Sequence, residues 1–339
     1  MDARTIERLR ERLAARLHVL TDFLYGSPRS VVQLRLGPAD EQAAAEELSL
    51  LRTAVQKAEE KTLGVCEVCH DYVEAARLEM DYTACICLDH LSAEERRVLE
   101  NDLALSQKVQ QALLPQVLPS IPSVDIAAYS QPARIVGGDY FDFLRFGDGT
   151  HAVMIADVMG KGMPASMLAA SLQASLRIIA PESSEPAEVV SRLNHLFCHN
   201  VHLTNFVTLF LAKIDVAART LTYCNAGHNP PLVVRVDTTI ESLDPTGAAV
   251  GLVKQSRFEQ EVVKLRVGDM VLLYTDGVVE SQDRGGEFFG DDRLKEVLRS
   301  PLHRTAQGVI TQLKDALHGF SGTGVPSDDT TFIALRFTD

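Results

Sequence analysis

At 339 residues the chain is too long for one ordinary domain and long enough for two or three, each able to bury a core. Its 46% hydrophobic and 23% charged residues are the proportions of a globular protein, and the net charge of −13 is shared by both halves. Lys and Arg number 14 against 20 Asp and Glu up to residue 110, and 19 against 26 beyond it, so no basic tail or stripe marks a free-standing nucleic-acid binder. The charged start MDARTIERLR is unlike a leader peptide, and no apolar run approaches the roughly 18 residues of a membrane span. A cytoplasmic protein without membrane contact is the expectation.

The apolar residues Ile6, Leu9, Leu13, Leu17, Leu20 and Leu24 step by three or four, the period of an amphipathic helix, until GSPRS breaks the pattern. A second helical pattern follows GPAD with Leu48, Leu51, Val55 and Ala58 on one face and Asp40 placed to cap its start. Two helices of similar length joined by a loop predict an antiparallel hairpin.

Four of the six cysteines, Cys66, Cys69, Cys85 and Cys87, fall within 22 residues; in a reducing compartment such a cluster holds metal more often than disulfides. Written Cys66-x2-Cys69-x17-Cys87-x2-His90, it supplies the two close pairs that a tetrahedral structural Zn²⁺ requires. Cys85 and His70 are spare candidates, and Cys85-x-Cys87 is a competing pairing. Ser92 and Glu95 of SAEE then form a capping box that starts a helix running to about Leu114. Leu91, Val98, Leu105 and Ala112 recur every seven residues along it, a spacing that suits a short coiled coil or packing on a neighbouring element. Prolines at 115, 119 and 122 end it.

Beyond Pro122 the texture changes to strand-like runs: HAVMIADVM, FVTLFLAKIDV, TLTYCNA, PLVVRV, FEQEVVKL and MVLLYTDG. Two helical patterns, from Met163 and from Pro186, interrupt them, and two more follow Asp291. Strands in runs and helices in pairs predict α+β layers rather than alternating βαβ units. Four Asp-containing turns stand out: GGDYFDF (Asp139, Asp142), IADVMGKG (Asp157), LLYTDGVVES (Asp276) and PSDDTTF (Asp328, Asp329). An Asp at a strand terminus projects its carboxylate from a rigid edge, and a nearby Gly allows close backbone approach. Converging edges of this kind make an oxygen-rich site for Mg²⁺ or Mn²⁺, whereas singly each is an ordinary capped turn.

In order and spacing, GGDYFDF, IADVMGKGMPASML, NAGHNPPLVV, LLYTDGVVES and DDTTFIAL resemble the SpoIIE/RsbU-type branch of the metal-dependent (PPM) serine/threonine phosphatases, over roughly residues 113 to 339. The resemblance implies an αββα sandwich with two Mn²⁺ or Mg²⁺ ions at one end of the central sheets. By position, Asp157 would bridge both metals with the Val158 carbonyl beside it, Asp139 would serve one ion, and Asp276 with Asp328 the other. Asp142 and Asp329 would stand behind these ligands. Two such cations lower the pKa of a shared water towards neutrality for in-line attack on phosphoserine or phosphothreonine. Cys198 and Cys224 then read as core residues, and His228 as a turn residue that fixes its loop in preference to one that protonates a leaving oxygen. The helix from Met163, beginning beside the metals, would act as a switch.

The segment GVCEVCHDYVEAARLEM…CLDH, after a helical hairpin, resembles the zinc finger of the DksA/TraR family over about the first 91 residues. His90 stands where that family has a fourth Cys. The family's acidic tip is altered to GPADEQA, with Gly37 in place of the first Asp and Ala43 displaced. The expected organisation is a helical hairpin (1–62), a zinc finger (63–91), a linker helix (92–120) and a phosphatase domain (121–339). The expected activity is protein serine/threonine phosphatase, acting on a phosphorylated STAS-type anti-anti-sigma protein, with a homodimer regulated by the zinc module. The alternatives are a DksA-like regulator that contacts RNA polymerase through the hairpin and a non-catalytic phosphatase-fold scaffold.

Overall fold

The computed structural model describes residues 3–339 apart from 27–28, 30–37, 75–76, 79–80, 134, 161, 201–205, 300–304 and 323–327. Most of GSPRS, Gly37 of the hairpin tip and Lys161 of MGKG therefore lie outside the described residues. The chain divides into two compact units, the first running to Ala104 and the second beginning at Leu105. The division falls inside the helix that the sequence marks as a linker.

In the first unit, α1 (Ala3–Thr21) and α2 (Pro38–Glu59) pack together. Leu9, Leu13 and Leu20 of α1 and Leu48, Leu51, Ala54 and Ala58 of α2 are buried, as their spacing requires, and share a core with Leu63, Cys66, Val73, Leu78 and Cys87. Val55 is only partly buried. Helix α2 begins at Pro38, so Asp40 lies inside its first turn instead of capping it; Pro suits that position because its missing N–H has no helical acceptor there.

Helix α3 (Ala93–Leu113) opens on the expected capping box. The Glu95 carboxylate accepts from the Ser92 N–H at 2.9 Å, and the Glu95 N–H donates to Ser92 Oγ at 3.2 Å. No residue of α3 is buried, and Val98, Leu105 and Val109 are 54, 61 and 52% exposed.

The second unit holds two five-stranded antiparallel sheets. One comprises β1 (Val124–Gln131), β6 (Leu232–Val234), β7 (Ile240–Ser242), β9 (Met270–Tyr274) and β10 (Thr330–Phe337), in the order β1-β10-β9-β6-β7. The other comprises β2 (Tyr140–Arg145), β3 (His151–Val158), β4 (Val207–Asp215), β5 (Thr220–Ala226) and β8 (Glu261–Lys264), in that order. Alternation along the strands sorts their side chains into two layers. Phe141, Val153, Ile155 and Phe210 from one sheet meet Val233, Val271, Leu273, Ile333 and Leu335 from the other. The opposite faces bury Met154 and Leu209 under α4 (Met163–Ile179) and α5 (Pro186–Asn200), and Leu272 and Phe332 under α7 (Gly290–Arg299) and α8 (Ala306–Ser321). A helix pair therefore covers each outer face of the two sheets. Among the described residues no helix is long and apolar enough to cross a membrane.

Candidate active site

Strand register brings Asp139 beside Asp157. Tyr140 of β2 lies opposite Ala156 of β3, so one further residue brings Asp139 beside Asp157. Ala152, Met154, Ala156 and Val158 point to the helix layer, while Val153 and Ile155 point between the sheets, and the period of two turns Asp157 to the inter-sheet side. From the other sheet, β9 runs into Thr275 and then Asp276, the first residue of the short helix α6 (Asp276–Val279). Thr275 Oγ1 donates to Asp139 Oδ2 at 2.8 Å and accepts from the Thr331 N–H at 3.0 Å, which joins the two sheets at this end.

Backbone approach at two glycines completes the enclosure. A Cβ on Gly138 would stand 2.7 Å from the Val158 carbonyl oxygen, and one on Gly277 would stand 1.9 Å from that of Asp329. Only glycine permits either approach. Asp329 is buried and accepts from two N–H groups, Ala133 to Oδ1 at 2.7 Å and Gly138 to Oδ2 at 2.6 Å. It thereby anchors the loop that carries Asp139. Asp328, half-buried, accepts its neighbour's N–H at 2.9 Å.

Asp139 is the electrostatic centre of the arrangement. It is 7% exposed, and its Oδ1 is buried with no hydrogen-bond partner. Burial first, then the adjacent charges of Asp157 and Asp329, hold its carboxyl well above the ordinary carboxylate range. Asp139 with its orphaned carboxylate oxygen, the neighbouring charges of Asp157 and Asp329 and a closely approached carbonyl offer oxygen donors of the kind a hard divalent cation takes, although among the described residues only Cys66, Cys69, Cys87 and His90 bring three or more ligand atoms within 4.8 Å of one another.

Asp142 serves a different purpose. Its side chain lies on the helix side of β2, where Oδ2 accepts from Tyr140 Oη at 2.6 Å and from Arg177 of α4 at 3.0 Å, and Oδ1 from the Phe143 N–H at 2.8 Å. The two aspartates of GGDYFDF thus part: odd-numbered Asp139 faces between the sheets, and even-numbered Asp142 ties β2 to α4.

Several participants escape a reading of the sequence. The Gln110 side chain of α3 pairs with both backbone groups of Gly137: its Oε1 accepts from the N–H at 2.9 Å and its Nε2 donates to the carbonyl. Gln173 of α4 donates to the Leu113 carbonyl at the end of α3 at 2.7 Å. A cavity of about 90 Å³, bordered by Gln107, Gln110, Ser130, Gly137, Asp139 and Asp329, lies behind the carboxylates. Thr275 and Thr208 are further polar supports. A lone Gln on an exposed helix carries no periodic signal, whereas Thr275, immediately before the Asp-Gly pair, belongs to a motif already conspicuous.

In the first unit the ligand atoms of Cys66, Cys69, Cys87 and His90 all lie within 4.8 Å of one another. Cys69 Sγ is 3.8 Å from Cys87 Sγ, which is 3.1 Å from His90 Nδ1. Hydrogen bonding from the backbone of Cys69 and then Cys87 lowers the Cys66 thiol to about 6, the direction that favours a thiolate ligand. Cys85 and His70, the spare candidates, lie outside this cluster. Burial raises the Cys85 thiol.

Two facing antiparallel sheets flanked by helices, with acidic strand ends at one edge, define the architecture of PP2C-type phosphatase domains. The family model described as stage II sporulation protein E (SpoIIE) matches residues 147–338, and the chain belongs to this family. It is 31% identical over 261 residues to protein IcfG of Synechocystis, a match covering 69% of this chain and 41% of IcfG. It is 29% identical over 239 residues to the phosphoserine phosphatase RsbU of Bacillus subtilis, covering 70% of each. The chain thus spans about two-fifths of the one relative and more than two-thirds of the other. The solved SiaA-PP2C domain of Pseudomonas aeruginosa shares the fold, with a TM-score of 0.64 at 20% identity over 72% of this chain and 98% of that domain.

Proposed function

We propose that the chain is a Mn²⁺- or Mg²⁺-dependent phosphatase of phosphoserine and phosphothreonine proteins, with Asp139, Asp157, the Val158 carbonyl, Asp276 and Asp328 holding two ions. The observation that carries this reading is the buried Oδ1 of Asp139, which has no protein partner beside the charges of Asp157 and Asp329. An unpaired buried carboxylate is costly, and a cation removes that cost. The ions, when bound, supply Lewis-acid polarisation of the phosphoryl group and a water acidified towards neutrality. The chain's own work is positional: Thr275 orients Asp139, Asp329 fixes the loop before it, and Gly138 and Gly277 admit close backbone contact.

Neither cysteine of the second unit is activated as a nucleophile in place of water. Cys224 is fully buried with its thiol pushed up to about 11 by burial, and burial also raises Cys198.

Family membership and similarity to RsbU support a phosphorylated STAS-type anti-anti-sigma protein as substrate. The Cys66, Cys69, Cys87 and His90 cluster supports a structural Zn²⁺ in the first unit. The same reading makes α3 the element through which the zinc module controls the enzyme, and the exposed Val98, Leu105 and Val109 stripe the seam of a homodimer. The test is hydrolysis of p-nitrophenyl phosphate after EDTA treatment. Turnover returns with Mn²⁺ in the wild type and stays absent in Asp157→Ala; turnover that survives EDTA in both proteins contradicts the proposal.

A further inference from the structure

His228, in NAGHNPP after β5, is 2% exposed and forms part of neither the core clusters nor the carboxylate set. Its turn is built to hold it. The His228 N–H donates to Asn225 Oδ1 at 2.8 Å, and Asn225 Nδ2 donates to the Leu243 carbonyl at 3.0 Å. Gly227 takes a φ of 68°, with Ala249 N only 3.1 Å from where a Cβ would stand. A histidine immobilised this firmly beside a site acts through what its ring touches.

The ring reaches the strand that lies beside Asp157. Nδ1 lies 2.9 Å from Thr208 Oγ1, and Thr208 stands directly opposite Asp157 in the β3–β4 register, its hydroxyl 3.4 Å from the Asp157 carbonyl oxygen. Nε2 is buried without a hydrogen-bond partner. Burial lowers the imidazole to about 4, so at neutral pH the ring is uncharged and a poor proton donor to a leaving oxygen.

We infer that His228 is a positioning residue: held by its turn, its ring fixes Thr208, whose hydroxyl lies against the backbone of Asp157, and so sets the placement of the Asp157 carboxylate and hence the fit of the metal pair. The inference rests on the metal-dependent reading above. It assigns the NAGH turn to metal affinity. Supports placed behind metal ligands in this way are typically worth about 10- to 100-fold in metal affinity or activity.

The experiment uses the full chain in three forms: wild type, His228→Phe, which keeps ring volume without nitrogens, and Thr208→Val, which removes the hydroxyl at nearly constant shape. Mn²⁺ binding is measured directly by titration calorimetry, metal-free stability by thermal unfolding, and turnover on both p-nitrophenyl phosphate and a phosphoserine protein. The expected result is Mn²⁺ binding weakened about tenfold or more in each variant, with little loss of metal-free stability. Turnover at saturating Mn²⁺ should fall by the same factor on both substrates. A double variant should be no worse than either single, because both remove the same brace.

Unchanged Mn²⁺ affinity in a folded Thr208→Val protein overturns the inference even if His228→Phe does not fold. A loss confined to the phosphoserine substrate, whose leaving group needs a proton, also overturns it, in favour of a general acid. A wild type that binds no Mn²⁺ overturns the metal-dependent reading itself, and the inference with it.

Discussion

Replacing Gln110 by alanine removes both hydrogen bonds that the α3 side chain makes to the backbone of Gly137, two residues before Asp139. A net hydrogen bond contributes about 0.5–1.5 kcal/mol, so losing the pair should cost the closed form of this loop roughly 1–3 kcal/mol. The Asp329 anchor remains in place at Ala133 and Gly138, so the loop is loosened and not released. At about 1.4 kcal/mol per tenfold change, amide exchange across residues 132–139 should accelerate roughly 5- to 150-fold, with global stability changed far less. Hydrogen exchange followed by mass spectrometry reads the loop directly, and a Mn²⁺ titration of turnover reads its consequence, a half-saturating concentration raised by about an order of magnitude. Exchange across 132–139 identical to wild type would refute the reasoning, because the amide clasp would then contribute nothing that water does not replace.

Asp139→Asn removes a buried carboxyl whose folded value lies above its unfolded one. Such a group binds protons more readily when folded, so metal-free stability falls as pH rises from the ordinary carboxyl range near 4 through the raised value. The Asn variant should therefore be more stable than wild type in EDTA at pH 7, by about 1–3 kcal/mol, and no longer gain stability from Mn²⁺; thermal unfolding with and without metal checks both. For wild type, the same sign means proton release on Mn²⁺ binding and weaker binding as pH falls, which calorimetry in buffers of different ionisation enthalpy measures. Gly277→Ala would place a methyl group 1.9 Å from the Asp329 carbonyl, a backbone contact that cannot rotate away. Its expected effect is loss of nearly all turnover, and a variant with wild-type kinetics would contradict the packing described. Chelation of Zn²⁺, or Cys87→Ser, should lower the metal content by one Zn²⁺ per chain and melt the first unit, whose core includes Cys66 and Cys87, at a lower temperature. Elemental analysis paired with calorimetric scanning is the check.

Much of this arrangement is legible in the residues. Stepped leucines mark α1 and α2, apolar runs mark β3, β4, β5 and β9, and Ser92 with Glu95 marks the start of α3, because each depends on interactions within a few residues. The spacing that singled out Cys66, Cys69, Cys87 and His90 is local too, and their ligand atoms lie together. What depends on distant partners was not visible. Strand β2 overlaps GGDYFDF itself, whose two aspartates look alike in sequence and separate only because the strand's period points one at Arg177, 35 residues away. The edge strand β1 and the short β7 lack the continuous apolar runs of the central strands. Gln110 and Gly137 meet across 27 residues with no pattern to announce it, and Asp40, which resembles a cap, lies within a helix that Pro38 already begins. His228 reads from its turn as a fixed loop residue; its contact with Thr208, opposite Asp157, follows only once β3, β4 and β5 are paired.

The central claim is that the carboxylates gathered around Asp139 work through divalent metal to remove phosphate from protein. The most direct measurement is phosphate release from a phosphoserine protein against Mn²⁺ concentration, for wild type and Asp157→Ala side by side, with Mn²⁺ binding to each followed by calorimetry. Saturable Mn²⁺-dependent release by wild type, with both binding and release lost in the variant, is the predicted result. Mn²⁺ binding without phosphate release, or release indifferent to Asp157, would contradict it.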